Sequence, residues 1–147
     1  MFELIYCSAA RPGIHADDIS AILKTSREFN KNNSITGCLL YHDGEFIQLL
    51  EGEESTVQTL YSNIVRDQRH NYLQLVVEET VPERAFDNWS MAFHDLSAAR
   101  VSPITKSLFI ENIMAFSDLA AKPSAATELF WYMARQMVNT DWTGQGS

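Results

Sequence analysis

Phe46-Ile47-Gln48-Leu49-Leu50 is an apolar run interrupted by one uncharged amide. A side-chain amide carries two donors and an acceptor, and a buried polar group left unmatched costs about 1–3 kcal/mol, so Gln48 has to face something polar. Alternation along a strand places it on one face with Phe46 and Leu50. Residues Phe2 to Ser8 alternate in the same way, which puts Leu4 and Tyr6 on one face and Ile5 and Cys7 on the other. If these two strands are neighbours with those faces aligned, the Tyr6 phenol meets the Gln48 amide, and both groups can donate and accept. Singly, each residue has a plainer reading. Tyr6 is then a core tyrosine, Gln48 a strand glutamine bonded to backbone, and Asn30 a helix-end residue that tolerates the left-handed conformation. Trp89 and Met91 are core, and Asp67, Arg69 and His70 form an exposed charge cluster at a helix end.

Other chemistries find little support. The four histidines are scattered, there is no Gly-rich phosphate loop, and Glu51-Gly52-Glu53-Glu54 reads as the start of a helix rather than as a pair of catalytic carboxylates. Cys7 and Cys38 sit in apolar segments without metal-ligand spacing and read as small reduced core residues, which suits a cytoplasm. A net charge of −8 with no Lys/Arg cluster disfavours nucleic acid. The Met-Phe-Glu start lacks a basic region, and no apolar run approaches the roughly 18 residues that span a bilayer, so a soluble, unexported protein is expected.

The elements that must position Tyr6 and Gln48 follow from periodicity. After the first strand, Asp17 and Asp18 open a helix in which Ile19, Ile22, Leu23 and Phe29 recur at helical spacing, ending near Asn30. Ile35 to His42 and Glu45 to Glu51 flank Asp43-Gly44, a type I′ hairpin signal. Val57, Leu60, Tyr61, Ile64 and Val65 make a second helical stripe, Leu73 to Thr80 a fourth strand, and Trp89 to Leu96 a fifth. The order βαββαββ predicts an α+β, ferredoxin-like sheet with strands one and three side by side and both helices on one face. The other face then presents Ile5, Cys7, Ile47 and Leu49 and needs a cover. Two tail helices supply it, one over Pro103 to Leu119 and one containing Leu129, Phe130, Met133 and Met137. Because Leu129 to Met133 is apolar nearly all round, the last helix also suits a subunit or partner contact. Residues 1–96 are read as the sheet-and-helix unit and 97–147 as a helical extension, its apolar last helix suited to oligomerisation.

Tyr6, Asn30 seven residues before the Gly37 of Ile35-Thr36-Gly37, Phe46-Ile47-Gln48-Leu49-Leu50-Glu51-Gly52, Asp67-Gln68-Arg69-His70 and Trp89-Ser90-Met91 make a pattern that resembles the BLUF family of flavin photoreceptors. The resemblance covers residues 2 to 96. It implies FAD as cofactor, with FMN or riboflavin as alternatives, its ring held between the two helices. On that resemblance Asn30 binds the C4 carbonyl and N3 edge, Gln48 bridges Tyr6 and the flavin, Arg69 reaches the other carbonyl, His70 lies near the ring, Asp67 near the ribityl side, and Trp89 and Met91 near Gln48. Phe29 departs from the histidine or asparagine that the family often has at that place.

The resemblance further implies a sensor rather than an enzyme. Light drives an electron from Tyr6 and a proton through Gln48, and the rotated or tautomerised glutamine gives a reversible, red-shifted state. No cysteine adduct is implied. A chain of 147 residues is too short to carry a cyclase or phosphodiesterase beside the sensor, so a homo-oligomer or an unidentified partner protein is expected to receive the signal. The rival readings are a ferredoxin-like ligand-binding or interaction module without photochemistry, and a small flavin reductase.

Overall fold

The computed structural model describes residues 1–14, 16–42, 44–86, 92–95 and 127–136. The elements run β1 (Phe2–Ala10), α1 (Ala16–Asn32), β2 (Thr36–His42), β3 (Glu45–Gly52), α2 (Glu54–Arg66), β4 (His70–Thr80) and β5 (Ala92–Asp95), and residues 127–136 form a further helical segment. The sheet order is β4-β1-β3-β2-β5, with β5 parallel to β2 and every other pairing antiparallel. This is the ferredoxin-like α+β plan, with β1 and β3 side by side as expected.

Alternation sorts the sheet into two cores. On one face Leu4, Tyr6, Leu39, Phe46 and Leu50 pack with Ile19 and Leu23 of α1 and Val57 of α2. On the other, Ile5, Cys38, Leu40, Ile47 and Leu49 pack with Ala85, Phe86 and with Phe130, Trp131 and Ala134 of the segment 127–136. The apolar second face is therefore covered by the tail. The helix expected over Pro103 to Leu119 lies outside the described residues. Complete burial of each such Leu, Ile or Phe contributes about 1.5–3 kcal/mol, so both covers are integral to the fold.

Local chemistry explains the element ends. Acidic residues open both helices (Asp17 and Asp18 in α1, Glu54 in α2), and Lys31 and Arg66 close them, matching the helix dipole. α1 runs to Asn32, two residues beyond the expected end, and closes when Ser34 turns left-handed (φ 54) and Ile35 N–H donates back to Asn30 O at 2.9 Å. Ser34, not Asn30, occupies the left-handed position. The register of β2 on β3 ends at His42 opposite Glu45, leaving a two-residue connection in which Gly44 has φ 84. Asp43 lies outside the described residues. Gly37 answers a steric demand instead, since a Cβ there would stand 1.9 Å from Leu49 O, so β2 can pair with β3 only because that position is bare. Among the described residues no helix is long and apolar enough to cross a membrane.

Two expectations are corrected. Val65 is 53% exposed, because the α2 stripe closes at Ile64 and the next residue turns outward. The run Glu51-Gly52-Glu53-Glu54 does not start α2 as a unit: Glu51 is a fully buried member of β3, as the strand over Glu45 to Glu51 implied, and α2 starts at Glu54 with Glu53 as its N-cap.

Candidate functional site

Tyr6 and Gln48 stand directly opposite each other in the β1–β3 register, and Leu39 stands opposite Gln48 on the other side. Directly opposed residues have side chains about 4.5–5.5 Å apart at Cβ, close enough for a phenol to reach an amide. Here the Tyr6 hydroxyl donates to Gln48 Oε1. Both residues are buried. Burial drives the Tyr6 pKa well above the usual phenol range, with the nearby Tyr61 and Asp67 adding to it, so the hydroxyl keeps its proton. Besides the oxygen that accepts from Tyr6, the Gln48 amide carries two N–H donors. The Tyr61 ring of α2 leans on Tyr6 with centroids 5.8 Å apart.

The pair forms the floor of a cleft between α1 and α2. Ile22, Thr25, Ser26 and Phe29 of α1 form one wall and Leu60, Asn63 and Ile64 of α2 the other, with Leu39 and Phe46 beside the pair and Asp67 and Arg69 at the end. The cleft holds about 180 Å³, and about 730 Å³ when its open mouth is counted. The enclosed 180 Å³ is smaller than the roughly 300–1,000 Å³ of common ligand pockets, whose apolar lining with a few placed polar groups the cleft shares. The lining is apolar at Ile22, Phe29, Leu60 and Ile64, polar at Thr25, Ser26 and Asn63 and at the Tyr6–Gln48 floor, and charged at Asp67 and Arg69. That mixture suits a flat heteroaromatic ring bearing a polar chain, as a flavin is.

Tyr6, Gln48, Asp67 and Arg69 share the cleft, as four of the expected site residues. The Arg69 guanidinium is paired with the Asp67 carboxylate, Nη2 to Oδ2 at 2.5 Å and Nε to Oδ1 at 2.9 Å, while the Arg69 N–H donates to Asp67 Oδ1 at 2.9 Å. That partnership raises the Arg69 pKa. Both residues are half-buried, not the exposed cluster of the plainer reading. Asn30 is completely buried in the last turns of α1, its carbonyl holding the Ile35 N–H, and it stands apart from the cleft's lining. His70 begins β4 and its side chain lies outside the described residues, as do Trp89 and Met91. Sequence reasoning missed Thr25, Ser26 and Asn63. Their signal was available: small or polar residues three to four positions from Ile22, Phe29 and Leu60, on the inward faces of both helices.

The family model for sensors of blue light using FAD matches residues 1–92. The chain belongs to the BLUF family. It is 38% identical over 89 residues to the beta subunit of a photoactivated adenylate cyclase from Euglena longa, an alignment covering 60% of this chain and 10% of that one. This BLUF chain thus spans about a tenth of the length of such curated relatives. Among solved structures it resembles the dark state of the BLUF protein BlrB with TM-score 0.68 and 30% identity, covering 92% of this chain and 96% of that one. It also resembles Klebsiella pneumoniae BlrP1 with FMN and cyclic diGMP at TM-score 0.75 and 27% identity, covering 95% of this chain and 35% of that one. The family binds flavin and its domains are sensory modules.

Proposed function

We propose that this chain is a cytoplasmic blue-light sensor that binds FAD between α1 and α2 and signals through a Tyr6–Gln48 switch, with residues 1–96 as sensor and 97–147 as output or oligomerisation extension. The observation that carries this reading is the buried hydrogen bond from Tyr6 to Gln48 on the floor of an apolar cleft. Asn30, Arg69, His70 and Asp67 are assigned to the polar edge and side chain of the cofactor on the family resemblance. Trp89 and Met91 are assigned to coupling beside Gln48.

A bound flavin would supply blue-light absorption and an electron acceptor. Tyr6 would give the electron, and the proton on its hydroxyl would pass along the existing bond to Gln48 Oε1. Its high pKa keeps that proton in place beforehand. Return of the electron and proton would restore the Tyr6 phenol and leave Gln48 rotated or tautomerised, with its N–H donors turned to a new acceptor; a stronger hydrogen bond to the cofactor would then account for absorption at longer wavelength. Buried Cys38 and half-buried Cys7, both with thiols pushed up in pKa chiefly by burial, are poor thiolates and take no part. The signal goes to a second copy or to a partner protein.

The test is the absorption spectrum in the dark and immediately after blue light. A bound flavin whose spectrum shifts red and relaxes reversibly is expected, and Gln48→Leu and Tyr6→Phe should keep the flavin and lose the shift. A shift of parental size in Gln48→Leu refutes the switch, and steady oxidation of a reduced nicotinamide without any shift replaces the sensor with a reductase.

A further inference from the structure

Glu51 lies three residues beyond Gln48 on β3, facing the opposite side of the sheet, and its carboxylate is fully buried. It accepts the Ala85 N–H on Oε2 at 2.8 Å, the Phe86 N–H on Oε1 at 2.7 Å and the Thr36 hydroxyl at 2.8 Å. Arg84 closes the same knot: Nη1 donates to Thr36 Oγ1 at 2.8 Å and to Glu51 O at 3.2 Å, and Nη2 to Ser34 O at 2.7 Å. One carboxylate and one guanidinium therefore tie the segment 84–86, which leaves β4 towards β5, to the ends of β2 and β3.

Phe86, whose N–H is held in this way, packs its ring on the tail. Its centroid is 6.5 Å from that of Phe130 and 6.2 Å from that of Trp131, which contact each other edge-on at 5.1 Å. All three are buried. Trp131 Nε1 is buried at this contact, and no partner for it lies among the described residues.

We propose that Glu51 is the positioning residue that couples the strand carrying Gln48 to the tail: it holds the 84–86 segment, and through Phe86 the helical segment 127–136, in the dark arrangement. This rests on the photosensor reading above and names its route from sheet to tail. A displacement of β3 at Gln48 reaches Glu51 along one strand, and the carboxylate passes it directly to two main-chain amides outside the hairpin. The charged groups around it are Arg84, within the knot, and Glu3, opposite it in the β1 register.

Hydrogen exchange resolved by NMR, in the dark and under blue light with FAD bound, tests it. The parental protein should show both the red shift and a light-dependent change in exchange over residues 127–136. Glu51→Gln replaces one acceptor oxygen by a donor facing an N–H; it should keep the red shift, exchange the Ala85 and Phe86 amides about tenfold faster in the dark, and lose the light-dark difference over 127–136. A light-dark difference of parental size in Glu51→Gln overturns the proposal, as does a parental protein that shifts without any change over 127–136. If Glu51→Gln does not fold, Phe86→Leu decides: it keeps the main-chain bonds and removes the aromatic contact, so an undiminished light-dark difference again overturns the coupling. A parental protein without a red shift refutes the sensor reading instead. Dark exchange at Ala85 and Phe86 then still decides whether Glu51 anchors the segment.

Discussion

The Tyr6–Gln48 bond makes a quantitative prediction that does not depend on light. Tyr6 is 2% and Gln48 3% exposed, so neither group can turn to water when its partner is removed. Gln48→Leu deprives a buried hydroxyl of its acceptor, a cost of about 1–3 kcal/mol. Tyr6→Phe removes the donor to Gln48 Oε1 and costs about 0.5–1.5 kcal/mol. The double substitution puts apolar groups of similar shape at both positions, and such paired replacements are nearly neutral for the bond itself. Any other contacts of either residue cancel in the cycle. A coupling of about 1–2 kcal/mol is therefore expected, equivalent to a melting-temperature difference of about 2–8 °C for a chain of this size. The assay is urea unfolding followed by circular dichroism on all four proteins, in the dark and with FAD at one saturating concentration, since a ligand of the folded state adds its own stabilisation. A coupling below about 0.5 kcal/mol, the level at which distant sites add independently, refutes a bonded buried pair.

Gly37→Ala should destabilise by about 3 kcal/mol or more, because the new methyl would sit 1.9 Å from a central-strand carbonyl and only movement of the backbone can relieve it. Gly44→Ala, with open space around it but φ 84, should cost only about 1 kcal/mol, so equal thermal melts for the two variants would discredit the close approach of β2 to β3. Glu51 makes stability depend on pH. Burial raises its carboxyl pKa above 4.5, against the lowering effect of the Ala85, Thr36 and Phe86 hydrogen bonds and of Arg84. The folded state then binds the proton more readily than the unfolded chain; this contribution is full below pH 4.5 and is lost as the pH rises through the raised value. Glu51→Gln should flatten the decline, and urea midpoints from pH 4.5 to 8 whose slope is unchanged in the variant would contradict it.

How much of this was legible in the sequence depended on the range of the signal. Period-two alternation fixed which side chains of β1 and β3 share a face, and the register then brought Tyr6 to Gln48 as expected. Asp43-Gly44 pinned the hairpin because a left-handed glycine is a local requirement. Glu51 was misread because its partners, Thr36 and the amides of residues 85 and 86, lie 15 and about 35 positions away, so that a buried carboxylate looked like one more acidic residue in a Glu-Gly-Glu-Glu run. Val65 was placed on the stripe because helical spacing tolerates one residue either side of the seam. The α1 wall escaped notice because Thr25 and Ser26 are small, and only the facing helix α2 turns their surface into one side of a cleft.

β3 belongs to both cores at once. Phe46, Gln48 and Leu50 look towards α1 and α2, while Ile47, Leu49 and Glu51 look towards the tail. Sliding this strand by one residue would exchange the two sets, driving the glutamine amide into the Phe130–Trp131 contact and a carboxylate under the helices. A one-residue slip, one way that a sheet can convey a change, would therefore break both cores. A tilt, a twist or a rearranged side chain within the existing register leaves each set on its own side.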